Sequence, residues 1–207
     1  MYFDRKCKIT FICHGATIYS DEFRVSDNEV YPPLNDAGQE EIDRICEFLK
    51  RRGVKNDIIY SSSAARTVQS AKLISKIYKQ DFEIIEDLKP RMCGDWNGLT
   101  FDQIESQHPE MLDKLIKFPN EKLFENCESI NEFVTRVSVT INSIVEKNIG
   151  NRLIIVTYPD VIQAAIVSAI ELPPERMFRF FINTGSATQI SYYDTWASLK
   201  YSGYVPI

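Results

Sequence analysis

The sequence is short of histidine and has no long apolar run and no basic stripe, and each shortage narrows its reading. Only two histidines occur, His14 and His108. The five cysteines, Cys7, Cys13, Cys46, Cys93 and Cys127, are odd in number and include no CxxC pair. Zinc spacing is therefore absent, and a secreted disulfide framework does not fit. The expectation is reduced, mostly buried thiols in a cytoplasmic protein. The most apolar stretch, residues 161–170, is far too short to span a bilayer. Residues 1–8 are charged and lack the apolar centre of a signal peptide. The net charge is −5, with both signs mixed along the chain, which argues against a nucleic-acid partner.

What is there is an ordinary globular composition. The 207 residues are 44% apolar and 26% charged, which suits a single domain whose core needs neither disulfides nor metal.

Lys8–Ile12 reads as a buried strand, rich in β-branched and aromatic residues. It ends at Cys13-His14-Gly15, where the chain turns into a polar loop over 16–32. Asn35 or Asp36 caps the next helix, with Gln39 in reach as a capping-box partner. Ile42, Ile45, Cys46 and Leu49 share one face of that helix, and Gly53 closes it. Asp57–Tyr60 is a short strand. The serines at 61–63 follow and are placed to cap a helix over 64–79. Phe82–Glu86 is another short strand.

Residues 88–128 differ in character. They hold Pro90, Pro109, Pro119, Gly94, Gly98 and an amphipathic piece at 100–117, and read as a cap-like excursion over one end of a sheet. Ser129 caps a long helix with Ile130, Phe133, Val134, Val137, Ile141 and Ile144 inward. Leu153–Thr157 is the most strand-like run, of the continuous apolar kind found in the middle of a parallel sheet. A helix apolar nearly all round follows, then a late strand at 188–193. The aromatic run Tyr192, Tyr193, Trp196, Tyr201 and Tyr204 either packs a C-terminal segment or forms a contact patch. Alternating strands and helices predict a three-layer α/β/α sandwich with a mostly parallel central sheet. Ligands in such sheets bind at the carboxyl ends of strands, which here are Cys13–Gly15, Ser61–Arg66 and Thr157–Pro159.

His14 stands just past a buried strand with Gly15 beside it, so ring and backbone can meet a ligand. Arg66 follows a serine turn after a second strand, a suitable place for a guanidinium that grips phosphate with two donors.

Phe11-Ile12-Cys13-His14-Gly15-Ala16-Thr17 resembles the [LIV]-x-R-H-G-x-T signature of the histidine phosphatase (phosphoglycerate mutase-like) superfamily. Pro33–Gln39 is similar to its P-L-T-x-x-G segment, and Tyr60–Ala71 to its Y-S-S-x-x-x-R-x-x-Q-T-A motif. Gly94–Thr100 resembles G-x-W-E-G-L-T, Cys127-Glu128-Ser129 with Arg136 resembles G-E-S…R, and Asn183–Ser186 resembles N-x-x-[ST]. The six matches stand in family order across nearly the whole chain.

The resemblance implies metal-independent phosphoryl transfer from a phosphomonoester, with no cofactor. A histidine attacks phosphorus, two arginines and a second histidine hold the phosphate, and a carboxylate protonates the leaving oxygen. Carried over, His14 is the nucleophile and Arg66 the phosphate clamp, with Gly15, Thr17 and Tyr158 as further phosphate-binding positions. Three family positions are substituted. The first arginine is Cys13, the glutamate is Pro90, and the second histidine is Tyr158, followed by Pro159.

Cys13 makes no charged hydrogen bonds to phosphate, a loss of about 1.5–3 kcal/mol for each bond. Tyr158 is a single neutral donor. Pro90 is no acid at all, and that role contributes about 10²–10⁴-fold. Together the substitutions remove roughly 10⁴-fold or more of the rate of an intact site. Asp95, Glu128 or Asp160 are the candidates to supply a proton instead, and Arg91 to replace charge. Cys13 as a redirected nucleophile is disfavoured, because a strand-end thiol is usually inert. His108, before Pro109, reads as a packing or surface residue.

The expectation is a catalytically impaired pseudophosphatase. Its partner is a phosphorylated small molecule or inorganic phosphate or sulfate, or else a protein or a second copy of the chain, with no nucleic acid and no membrane. The alternative is an active phosphatase working through phospho-His14 with a rearranged general acid.

Overall fold

The computed structural model describes residues 5–26 and 32–207. Its centre is a six-stranded sheet: β1 (Cys7–Cys13), β2 (Ile58–Ser61), β3 (Phe82–Ile84), β4 (Arg152–Thr157), β5 (Ala187–Tyr192) and β6 (Ala197–Tyr204). The order across the sheet is β3-β2-β4-β1-β5-β6. The first four in that order run parallel, and β5 and β6 pair antiparallel at one side. The expected mostly parallel α/β sandwich is the fold observed.

Alternation along the strands supplies two cores. On one face Ile9, Phe11, Leu153, Ile155, Ile190 and Tyr192 pack against α6 (Ile130–Lys147) and α7 (Pro159–Ala169). On the other, Ile12, Ile59, Ile154 and Val156 pack against α2 (Asp36–Arg51) and α3 (Ala65–Tyr78). β4 lies between β2 and β1 with helices over both faces, which is why its sequence is apolar without interruption.

Several expectations are corrected in detail. Part of the polar loop at 16–32 is a one-turn helix, α1 (Ile18–Asp21), capped reciprocally by Thr17 and Ser20; residues 27–31 lie outside the described residues. Asn35 caps α2 by accepting from the Gly38 amide, and Gln39 gives no side-chain bond to that cap. The N-cap of α3 is Ala64, without a side-chain hydrogen bond. Of the serines before it, Ser62 bonds to Thr157 and to the Leu88 carbonyl instead. The amphipathic piece at 100–117 is two helices, α4 (Phe101–Gln107) and α5 (Met111–Lys117), broken at His108-Pro109. The late aromatic run builds the β5–β6 hairpin: Tyr192 is buried, Tyr193 stacks on Trp196 at 4.1 Å, and Tyr204 packs on Phe48. Ser129 caps α6 as expected, in a capping box with Glu132.

Candidate functional site

β1 and β4 are parallel neighbours in a register that pairs Cys13 with Thr157. His14 and Tyr158 therefore leave the sheet side by side. β2 ends one strand further on, with Ser61 opposite Val156, and the turn after it delivers Arg66 in the first turn of α3. The three strand ends singled out in the sequence thus converge.

The His14 backbone is held from both sides. Its amide donates to the Thr157 carbonyl at 3.0 Å, and its carbonyl accepts from the Gly185 amide at 2.9 Å. Nδ1 lies 2.8 Å from the Gly15 carbonyl oxygen. A carbonyl only accepts, so the proton sits on Nδ1 and Nε2 carries the lone pair. Burial, the nearby Arg66 charge, and the Gly15 contact acting in the opposite sense together lower the ring's pKa to about 3. The ring is neutral at physiological pH, the state a nucleophile needs.

Tyr158 touches both His14 and Arg66. Its ring meets the His14 ring edge-on at 5.8 Å between centroids. The Arg66 guanidinium carbon stands 4.7 Å from the Tyr158 centroid. The Tyr158 hydroxyl accepts from the Ala64 amide at 3.3 Å, so it is already engaged on the α3 side. His14, Arg66 and Tyr158 are only 5%, 2% and 1% exposed.

Cys13 is fully buried in the α6–α7 core, and burial, with the Glu41 and Asp160 charges, pushes its thiol well up. A redirected nucleophile there is not supported. The Thr17 hydroxyl, expected on phosphate, accepts from the Ser20 amide as the cap of α1. Gly15 fits its tight position: a Cβ there would lie 2.2 Å from the Gly38 carbonyl oxygen.

The residues placed to compensate for Pro90 are mostly committed elsewhere. Glu128 makes a two-pronged ion pair with Arg136, at 2.8 and 2.7 Å, and accepts from the Met92 amide. The Arg91 guanidinium donates to the Glu128 carbonyl. Asp95 receives a 3.5 Å contact from Asn126. Asp160 differs. It is half-buried, and its Oδ2 accepts from the Arg91 amide at 2.7 Å, next to Pro90. Burial raises its pKa, against the pull of the Arg91 and Val161 amides. His108 packs edge-on against Phe124, away from His14.

The motifs assign no role to several residues that hold the site together. Glu41 bridges the Ala16 amide at 2.8 Å and the Thr184 hydroxyl at 3.1 Å. Ser70 receives the Gly15 amide. Ser62 and Thr157 share a hydrogen bond, and Ser62 donates to the Leu88 carbonyl, tying residues 88–90 to the strand ends. The serine run hinted at Ser62; nothing pairs Glu41 with a threonine so far along the chain. A pocket of about 310 Å³ lined by Ser138, Asn142, Ser168, Asp194 and Trp196 lies elsewhere, between α6, α7 and the β5–β6 hairpin. Among the described residues no cluster of three or more His, Cys, Asp or Glu is placed to share a metal ion, and no helix is long and apolar enough to cross a membrane.

A nucleophile-ready histidine and an arginine at neighbouring parallel strand ends agree with the family whose model matches residues 9–203, the histidine phosphatase superfamily, branch 1. The chain belongs to the histidine phosphatase superfamily. It is 26% identical over 179 residues to phosphoglycerate mutase-like protein 4 of Arabidopsis thaliana, covering 86% of this chain and 76% of that one. It is 23% identical over 168 residues to the adenosylcobalamin/alpha-ribazole phosphatase of Escherichia coli, covering 81% and 82%. The structure matches that of the alpha-ribazole phosphatase from Shigella flexneri with a TM-score of 0.83, at 22% identity over 97% of this chain and 98% of that one. At that identity the structural likeness speaks for the fold alone. This member of the histidine phosphatase superfamily combines the fold with Cys13, Pro90 and Tyr158 at the strand-end site.

Proposed function

We propose that this chain is a catalytically impaired histidine phosphatase, a pseudophosphatase of the cytoplasm that retains a residual anion site at Arg66. One observation carries the reading: a neutral tyrosine ring, Tyr158, lies against both His14 and Arg66 at the position where the resemblance expects a second histidine. Cys13 and Pro90 deepen the impairment, since neither supplies positive charge or a proton. The ligand class is a phosphorylated small molecule or inorganic phosphate or sulfate, held by the one clamping guanidinium that remains.

The test is turnover of p-nitrophenyl phosphate and acetyl phosphate by the wild type and by His14→Ala. Equal background rates, together with phosphate binding that disappears in Arg66→Ala, support the proposal. Turnover abolished by His14→Ala overturns it.

One observation favours the second reading, an active phosphatase with a displaced acid. Asp160 docks on the backbone beside Pro90, and burial raises its pKa, the direction a general acid requires. On this reading Asp160→Asn lowers turnover by about 10²-fold or more, with loss of the alkaline limb of the pH profile, where the acid would lose its proton.

A further inference from the structure

Cys93 and Cys127 face each other across an isolated antiparallel bridge. The Glu128 amide donates to the Met92 carbonyl at 2.9 Å, so the hydrogen bond lies one residue outside the pair. The cysteines therefore form the non-hydrogen-bonded kind of pair. In such pairs Cα atoms approach to about 4.5 Å and side chains leave on the same side. A disulfide needs a Cα separation of roughly 4.4–6.8 Å, a range that contains the spacing typical of such pairs. An ideal Cβ on Gly94 would stand 3.4 Å from the Cys127 Cβ, which places Cys127 directly against the 93–94 turn.

Both sulfurs are reduced thiols in contact with nearby backbone. Cys93 Sγ donates to the Arg91 carbonyl at 3.3 Å, and Cys127 Sγ to the Phe124 carbonyl at 3.1 Å. The other three cysteines lie apart, at the start of β1, the end of β1 and within α2. The position of the pair matters. The chain leaves for α4 and α5 just after Cys93 and returns at Cys127, so the pair forms the neck of that excursion.

We propose that Cys93 and Cys127 are a redox-modification site: a reversible disulfide, formed by exchange with a low-molecular-weight disulfide such as oxidised glutathione, that fastens the excursion at its neck. One protein thiolate attacks a sulfur of the small disulfide and expels one small thiol. The second attacks the mixed disulfide at the protein sulfur and expels the other. Two protein thiols lose two electrons and two protons, and one small disulfide becomes two thiols. Cys93 and Cys127 are 8% and 3% exposed, so the first attack waits on local opening of the neck. Once formed, the bond prevents that opening. The proposal does not depend on whether His14 turns over substrate.

The test treats the full chain, natively folded, with oxidised glutathione, followed by peptide mapping without reductant. The expected product is a Cys93–Cys127 cross-link with the loss of two hydrogen atoms. Protease cleavage within residues 98–122 should slow and then recover on reduction. Cys93→Ser and Cys127→Ser should each abolish the cross-link, and Cys46→Ser should not. Accumulation of a stable glutathione adduct on either cysteine, a cross-link to any other cysteine, or no reaction of the wild type under conditions that oxidise a small dithiol each overturns it. If a variant does not fold, the wild-type map decides.

Discussion

The Arg66 guanidinium carbon lies 4.7 Å from the centroid of the Tyr158 ring, with the His14 ring edge-on against the same tyrosine. The tyrosine thus meets both the guanidinium and the imidazole. Truncating it should separate stability from binding. Tyr158→Ala should cost about 3–5 kcal/mol, as other aromatic truncations in cores do. It should nevertheless tighten phosphate binding, because the guanidinium loses its cover. Urea titration and calorimetry with inorganic phosphate read the two effects. Weaker phosphate binding in Tyr158→Ala would show that the ring assists the anion rather than excluding it.

His14 gives a pH signature. Its pKa falls from the ordinary value of 6.5 to about 3 in the folded chain, so the unfolded chain binds more protons between those values. Its contribution is complete above about pH 6.5 and declines as pH falls toward about 3, at up to about 1.4 kcal/mol per pH unit. Asp160 works in the opposite sense, since its raised pKa favours the folded state at low pH. The measurement is therefore the difference between wild type and His14→Gln. The free energy of the wild type relative to the variant should be highest above about pH 6.5 and fall as pH drops toward about 3. Parallel curves would mean that the folded ring titrates like an exposed one.

Arg136 should hold the returning end of the excursion. It pairs with both Glu128 oxygens and donates to the Asp87, Lys89 and Pro90 carbonyls. Arg136→Ala should destabilise by about 3 kcal/mol, the low end for breaking a buried pair because both partners keep some solvent contact. Arg136→Lys should recover less than half, since an ammonium lacks the planar fork. Limited proteolysis within 87–128 should accelerate in both. An unchanged digestion pattern would assign the clamp no holding role.

Gly15 and Gly38 approach each other too closely for side chains. A Cβ on Gly38 would lie 2.1 Å from the Ala16 carbonyl oxygen. Gly38→Ala should cost about 3 kcal/mol or more, at the upper end for overpacking. Because Gly15→Ala strains the same contact, the double variant should cost less than the sum. Thermal unfolding of the three variants checks this; strict additivity would mean that the two contacts yield independently.

The layers and the site's principal members were legible because they rest on local or strongly periodic signals. Leu153–Thr157 had to be a central strand, and His14 and Arg66 follow strand ends that a parallel sheet brings together. Other features depend on geometry that no local pattern encodes. Glu41 reaches Thr184 only because α2 lies against the loop before β5. Thr17 also caps α1 by accepting from the Ser20 amide, a use that the signature around His14 does not announce. β6 was missed because its half-exposed residues show neither clean alternation nor a continuous apolar run.

The way His14 is held has a consequence for how such chains diverge. Its ring is anchored to the Gly15 carbonyl, walled by Tyr158, and its backbone is tied to Thr157 and Gly185. Selection for a well-packed strand junction would preserve this histidine after selection for chemistry had lapsed. A surviving nucleophile can be a fossil kept by its mould, so turnover in a divergent lineage is better judged from the groups around the histidine than from the histidine itself.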